Sequence, residues 1–402
     1  MNLFRAKSLE QIHASAQAHG NSGIRRTLTA RDLVFLGVGA TIGAGILSAL
    51  GTGLAGGFDS TFGVARPAAG PALIVSFLLT ALACAFTALC YAEFASMIPA
   101  SGSAYTYTYA TMGELMAWII GWDLLLEYAV SNVAVAISWG SYMDNLLQGL
   151  GMHLPRWLGM DPRTMLFPTE AFAATHHGTL DLADRLRYLA LATAGELDGA
   201  ATFINWEVLR TAPQLGGFPI GVNVLAVLVT VIVTALCIWG VKESVTANNV
   251  MVGLKVALLL VVIAVGAFYV TPANYDPFMP NGWRGVQAGA AIIFFAFIGF
   301  DAVSTAVEEC RDPGRDMPRG IIGSLVICTV IYVAVCAVVS GMLPYHAYLG
   351  IADPIAHAFT SIGMNGISAL VSIGAVVALG STLLVYQMAQ PRIFMVMSRD
   401  GL

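Results

Sequence analysis

The chain has 402 residues, 57% of them hydrophobic and 11% charged, with a mean hydropathy of +0.75. Soluble domains carry about 25% charged residues, and a single core cannot hide this much apolar surface from water, so a water-soluble fold is excluded and an all-α integral membrane protein is expected. The formal net charge of −5 comes without any run of basic residues, which leaves no footing for a nucleic-acid partner.

The first 32 residues carry no apolar h-region, so they are not a secretory signal peptide and read as a cytoplasmic N-terminal segment. A spanning helix needs roughly 20 mainly apolar residues. Eight such stretches are predicted, at about 33–55, 71–98, 115–147, 219–241, 250–271, 286–308, 320–343 and 367–397. Residues 33–147 therefore hold helices 1–3, 148–218 form a long extracytoplasmic loop insertion, and 219–402 hold helices 4–8. With the N-terminus inside, Arg5, Lys7, Arg25, Arg26, Arg31, Lys242, Arg311, Arg315, Arg319, Arg392 and Arg399 all fall on the cytoplasmic side. The short outer loops hold only Arg66 and Arg284, in keeping with the positive-inside rule.

Between helices 2 and 3, residues 100–114 are small, hydroxylated and aromatic, which suits an interfacial or re-entrant piece. The long loop carries two short amphipathic stretches, 186–197 and 202–210, and reads as a lid on the outer surface. His176 and His177 within it have no third ligand spaced nearby and read as an exposed pair. The six cysteines form no CxxC or Cys/His pattern and read as small buried hydrophobes.

Two helices carry defects that a plain anchor does not need. Helix 1 contains GVGATIGAGI, with Gly37, Gly39, Gly43 and Gly45 inside nine positions. Each glycine costs about 1 kcal/mol of helix stability relative to alanine. Glycines also serve close helix packing, but crowding at mid-depth suits an unwound stretch, which is tolerated there only where it lines a cavity. Helix 6 contains FFAFIGFDAVSTAVEE, in which Gly299 precedes Phe300 and Asp301 and sets a carboxylate near the membrane middle. Paired defects at corresponding places in two halves are the sign of an inverted-repeat transporter. Unwinding frees N–H groups that suit a carboxylate and C=O groups that suit an ammonium, and a zwitterionic amino acid offers both.

The segments 36–46, 91–114, 122–128 (WDLLLEY), 240–263, 294–321 and 378–402 together resemble the amino acid–polyamine–organocation superfamily, in the branch of the cationic amino acid transporters and their bacterial relatives. That resemblance implies a leucine-transporter-like inverted-repeat fold with helices 1 and 6 broken. It also implies that helices 9 onward are missing, so that the chain is truncated after helix 8. By the same resemblance, substrate binds at Thr41, Ile42, Gly43, Ala44 and Gly45, with the N–H groups of Ala44 and Gly45 meeting its carboxylate. The carbonyls of Thr41, Phe295, Ala296 and Ile298 meet its amine. Relatives often place a hydroxyl residue where Ala44 stands, so one side-chain contact is absent here.

Lys255 on helix 5 resembles a built-in replacement for a sodium ion, bridging to the unwound backbone of helix 1. A desolvated ammonium can be discharged, so it could load and release a proton; a lysine snorkelling to the cytoplasmic edge is the alternative. Asp301 and Glu127 are its expected acidic partners in proton coupling, or else static pairs or caps for freed backbone groups. Glu308 and Glu309, facing the arginine-rich inner loop, are expected to latch the inner gate. The expected function is secondary active amino-acid transport, proton-coupled, in the plasma (cytoplasmic or inner) membrane, with amino acid, protons and membrane lipid as partners. Exchange or facilitated transport, or an amino-acid sensor, are the alternatives. No HExxH, GxSxG or metal-ligand spacing is present, so no enzyme, metal or cofactor is expected.

Overall fold

The computed structural model describes residues 6–7, 27–59, 64–98, 102–160, 165–166, 169, 182–203, 205–239 and 245–401. The protein is mostly helical. In chain order the main helices are α1 (Ala30–Thr41), α2 (Gly45–Ala55, opening with the π-helical turn Gly45–Ala49), α3 (Leu73–Met97), α4 (Ser103–Thr111) and α5 (Glu114–Gly149). They continue with α6 (Leu182–Thr193), α7 (Gly199–Thr202), α8 (Trp206–Thr211), α9 (Val224–Trp239), α10 (Val245–Gly266) and α11 (Gly282–Ile293). Two 3-10 segments, Phe294–Ala296 and Phe300–Glu309, follow α11, and α12 (Pro313–Met342), α13 (Pro354–Ser361) and α14 (Asn365–Arg399) complete the set. Two small antiparallel hairpins, Gly57–Asp59 with Val64–Arg66 and Gln214–Leu215 with Phe218–Pro219, sit in connecting loops.

Among the described residues six helices are long and apolar enough to cross a bilayer, and α1 with α2 makes a seventh span, bent by 42° at its break. The eighth expected span is shorter than predicted. Pro219 is tied into a hairpin and Asn223 Oδ1 accepts the N–H of Ala226 at 3.0 Å, so the helix starts only at Val224. Its 16 residues give about 24 Å, against a hydrocarbon core of ~30 Å. Residues 100–114, expected at the interface, contain the helix α4, whose Tyr105, Tyr107 and Tyr109 are buried.

One large apolar core runs through the bundle, built from α1, α2, α3, α5, α10, α12, α14 and the second broken helix. α1 lies at its centre, against α10, α12 and the Phe300–Glu309 segment. α12 packs along α3, and α14 along α5. At one face, α1 is anchored at its start by Asp32, whose carboxylate accepts from Thr29 N–H at 3.0 Å and Thr29 Oγ1 at 2.7 Å. Just before it, Leu28 pairs in parallel with Cys310: Leu28 N–H donates to Glu309 O at 3.0 Å and Arg311 N–H to Leu28 O at 3.0 Å. On the same face Lys7 Nζ meets Asp400 at 2.6 Å, and Tyr105 Oη donates to Asp400 at 3.0 Å.

The loop insertion has a hydrophobic cluster of its own. Met165, Leu166, Leu189, Ala192, Phe203, Val208, Leu209 and Ala212 pack together, flanked by Trp157 and Trp206. α6, α7 and α8 account for both amphipathic stretches read in the sequence. His176 and His177 lie outside the described residues. Cys84, Cys310, Cys328 and Cys336 are buried as expected, whereas Cys90 is exposed on the surface of α3, where an apolar thiol is compatible with lipid.

Candidate functional site

The two broken helices meet backbone to backbone. In the first, α1 ends at Thr41, Ile42 turns out of the helix (φ −73°, ψ 100°), and helical structure resumes at the π turn Gly45–Ala49. In the second, α11 tightens into Phe294–Ala296 and is interrupted at Gly299, whose φ of 114° is open to glycine and strained for other residues. The contact is reciprocal. A Cβ on Gly45 would collide with the backbone of Ala296, and a Cβ on Gly299 would lie 2.7 Å from the carbonyl oxygen of Ala40. Each break therefore has a glycine where the other chain segment passes. Gly37 and Gly39, by contrast, lie buried within regular α1, and a Cβ on Gly37 would collide with Ser324.

Thr41, Ile42, Gly43, Ala44 and Gly45 are all buried at the first break. Gly43 and Ala44 lead into α2 at Gly45, where the first N–H groups of a helix have no preceding carbonyl and attract anions. On the opposing break Ala296 is buried, while Phe295 and Ile298 are half-buried. The carbonyls of these three residues accept no hydrogen bond from another element among the described residues.

The carbonyls at the end of α1 are differently placed, because three side chains hold them. Lys255 on α10, buried with 3% exposure, donates from Nζ to Gly39 O at 2.9 Å, Ile42 O at 3.4 Å and Thr382 Oγ1 at 3.0 Å. An ammonium is favoured there because the C-terminal end of a helix is electronegative. This burial rules out the snorkelling lysine. Thr382 on α14 touches Ile42 O at 3.3 Å. From the opposite side Tyr332 on α12 donates to Thr41 O at 2.8 Å. Thr41 O, expected to meet an amine, thus has one lone pair already engaged. The Tyr332 ring packs with Phe77 and Phe297, at centroid distances of 5.8 and 5.6 Å.

Asp301 is buried at the start of the Phe300–Glu309 segment. One carboxylate oxygen accepts the Gly299 N–H at 3.2 Å, which is a capping contact, and the other, Oδ2, has no hydrogen-bond partner among the described residues. Glu127 on α5 lies within electrostatic reach of Asp301, and the hydroxyls of Tyr128 and Tyr386 border the same pair. Among the described residues neither acid is hydrogen-bonded to Lys255, so the three expected coupling residues form two groups. Glu309 lies at the Leu28–Cys310 bridge through its backbone carbonyl; the side chain of Glu308 lies outside the described part.

Tyr332, Thr382 and Tyr142, whose Oη donates to Leu47 O at 2.6 Å inside the π turn, were not singled out from the sequence. A signal existed for the tyrosines, since a phenol deep in an apolar helix needs a hydrogen-bond partner. Thr382 gave none.

Helices broken at mid-depth, with backbone donors and acceptors facing each other and a buried lysine clamping one end, define a membrane permease. The chain matches the amino acid permease family over residues 28–402, and it belongs to that family. It is 41% identical over 401 residues to a branched-chain amino acid permease of Bacillus subtilis, and equally to a methylthioribose transporter of that organism; the match covers 100% of this chain and 72% of each relative. It is 36% identical over 407 residues to the chloroplastic cationic amino acid transporter 9 of Arabidopsis thaliana, covering 60% of that protein. These relatives are transporters, and the chain is not an enzyme.

Proposed function

We propose that the protein is a secondary active amino-acid permease that takes up its substrate with protons across the plasma membrane, with its N-terminus in the cytoplasm. The observation that carries this reading is the reciprocal packing of the two breaks, Gly45 against Ala296 and Gly299 against Ala40. The packing of α3 with α12 and of α5 with α14 supports the inverted-repeat fold, because, with α9 counted as helix 4 of the eight expected, each pair joins a helix to the one five later. The N–H groups of Gly43, Ala44 and Gly45 receive the carboxylate. The amine goes to the carbonyls of Phe295, Ala296 and Ile298, with Thr41 contributing its remaining lone pair and its Oγ1, which has no partner among the described residues. Lys255, standing where a cation would hold the end of α1, couples the site to protons, with Asp301 and Glu127 as the acidic pair on the other side.

The test is uptake into proteoliposomes of radiolabelled branched-chain, small neutral and cationic amino acids, with and without an inward proton gradient. Gradient-driven accumulation of an amino acid is expected, and Lys255→Ala is expected to abolish its dependence on pH. Counterflow without accumulation identifies an exchanger, and binding without flux identifies a sensor. One of the relatives at 41% identity carries methylthioribose, so that thiosugar belongs in the panel. Its uptake in the absence of any amino-acid uptake would overturn the zwitterion reading.

A further inference from the structure

The stretch that leads from the insertion into α9 has its polarity reversed. Leu215 and Phe218 stand opposite each other in the register of the Gln214–Leu215 and Phe218–Pro219 hairpin, so their side chains share one face. That face is open, with Leu215 74% exposed and Phe218 38%. From Phe218 onward burial alternates with a period of two: Phe218, Ile220, Val222 and Val224 are exposed, while Pro219 and Gly221 are buried. This is the alternation of an extended chain. A strand with one face in water turns polar residues outward, and here the outward residues are Phe, Ile and Val. The inward face rests on the insertion's own core, since a Cβ on Gly221 would collide with Met165. The backbone is provided for as well: Ile220 N–H donates to Pro213 O at 2.7 Å and Val222 N–H to Trp157 O at 3.3 Å.

The level of this stretch is set by α5. A Cβ on Gly140 would come within 3.1 Å of Asn223 Oδ1 and 3.4 Å of Leu225, so the start of α9 lies beside Gly140. The exposed apolar side of α5 runs from Trp118 to Ile137, a rise of about 29 Å, which matches a hydrocarbon core of ~30 Å. Past Gly140 the helix carries Ser141, Asp144, Asn145 and Gln148. α9 therefore begins where the apolar stripe of its neighbour ends, and the stretch before it stands at the bilayer boundary. Its open face continues into the exposed apolar side of α9 through Val224, Val227, Leu228 and Val231. No charged residue stands between Arg210 and Lys242, although α9 accounts for only 16 of those positions.

We propose that Leu215, Phe218, Ile220 and Val222 form an interfacial anchor that lies in the headgroup–acyl boundary of the leaflet beside α9 and pins the insertion to the lipid surface. An apolar patch this continuous marks an interaction site. Lipid is its partner because the patch has no break from the apolar side of a helix that itself faces lipid, and because an uncharged segment with satisfied backbone groups is what that boundary accepts. The anchor makes the insertion a membrane-apposed unit rather than a domain standing free in water. It rests on the chain's being a membrane protein and not on what the chain carries.

The experiment is a set of single spin labels in phosphatidylcholine nanodiscs without substrate, in a background of Cys90→Ser and Cys237→Ser. Labels go to Leu215→Cys, Phe218→Cys, Ile220→Cys and Val222→Cys, with Val231→Cys on α9 as the lipid reference and Gln148→Cys at the end of α5 as the water reference. Power saturation compares collisions with oxygen, which partitions into lipid, and with a neutral nickel chelate, which stays in water. All four sites are expected to show an oxygen-to-nickel ratio severalfold above that of Gln148→Cys, lying between the two references as a boundary position should. Ratios equal to that of Gln148→Cys would place the stretch in water and overturn the anchor. Low collision rates with both reagents would place it under protein, such as a second copy of this chain, and would overturn it equally. Leu215→Asp combined with Phe218→Asp changes only exposed side chains and is expected to lower the ratio at Ile220→Cys severalfold, while the melting temperature of the bundle stays in place. A ratio at Ile220→Cys that ignores the two aspartates would show that the hairpin face does not hold the stretch in the lipid. The labels are read without flux, so failed uptake leaves the anchor standing and a water-like profile leaves transport standing.

Discussion

Lys255 and the two contact glycines show how single residues hold an interrupted helix in place. Breaking a membrane helix leaves carbonyls with no water to turn to, and each orphan is costly in hydrocarbon. Lys255 Nζ covers Gly39 O and Ile42 O, and with Thr382 fixes α1 to α10 and α14. Gly299 fixes the other break, since its φ of 114° and its approach to Ala40 O both require the absence of a side chain. Gly299→Ala combines backbone strain with a steric conflict and is expected to destabilise the protein by roughly 1–3 kcal/mol. The check is a thermal melt in detergent with Gly253→Ala as reference, where a Cβ meets open space. An unchanged melting temperature for Gly299→Ala would mean that the breaks separate without penalty.

At the scale of elements, the half-helices divide the labour of binding unequally. The end of α1 is held by protein groups, whereas the start of α2 and the Phe294–Ala296 turn meet backbone to backbone, Gly45 against Ala296. Tyr332 is the clearest expression of this division, because it reaches from α12 across the aromatic packing of Phe77 and Phe297 to fix Thr41 O. Tyr332→Phe keeps the ring and removes only the hydroxyl, leaving a buried carbonyl unpaired at about 1–3 kcal/mol. If Tyr332 positions the break, the half-saturation concentration for uptake should rise several-fold while the maximal rate changes less than twofold. A maximal rate that falls at unchanged half-saturation would assign Tyr332 to the conformational step instead. Both breaks were legible in the sequence because glycine crowding and a mid-depth carboxylate are local signals. The partners of the breaks were not, because Tyr332 and Thr382 lie 291 and 340 residues from the carbonyls they meet. The start of α9 was misplaced for a related reason, since hydropathy runs on through Pro219 and Gly221 while Asn223 sets the cap.

For the molecule as a whole, the consequential division is between the membrane bundle and the 148–218 insertion. The bundle shares one continuous core, whereas the insertion buries its apolar residues in a cluster of its own. Amphipathic periodicity was enough to predict α6 and α8, but the spacing of short helices does not say whether they lie flat on a bundle or pack on one another; the cluster around Phe203 and Leu209 shows the second. A small satellite core has few contacts to redistribute when one is lost, so it should open locally without the bundle following. Phe203 is buried at 2% exposure between α7 and α8, and truncating a buried phenylalanine costs about 3–5 kcal/mol. Phe203→Ala is therefore expected to make the insertion cleavable by a protease added to the outer side of sealed vesicles, while the melting temperature of the bundle shifts little. A bundle that melts together with the insertion would show the two cores to be energetically one. Cleavage with uptake retained would place the insertion outside the transport cycle, and cleavage with uptake lost would place it within that cycle.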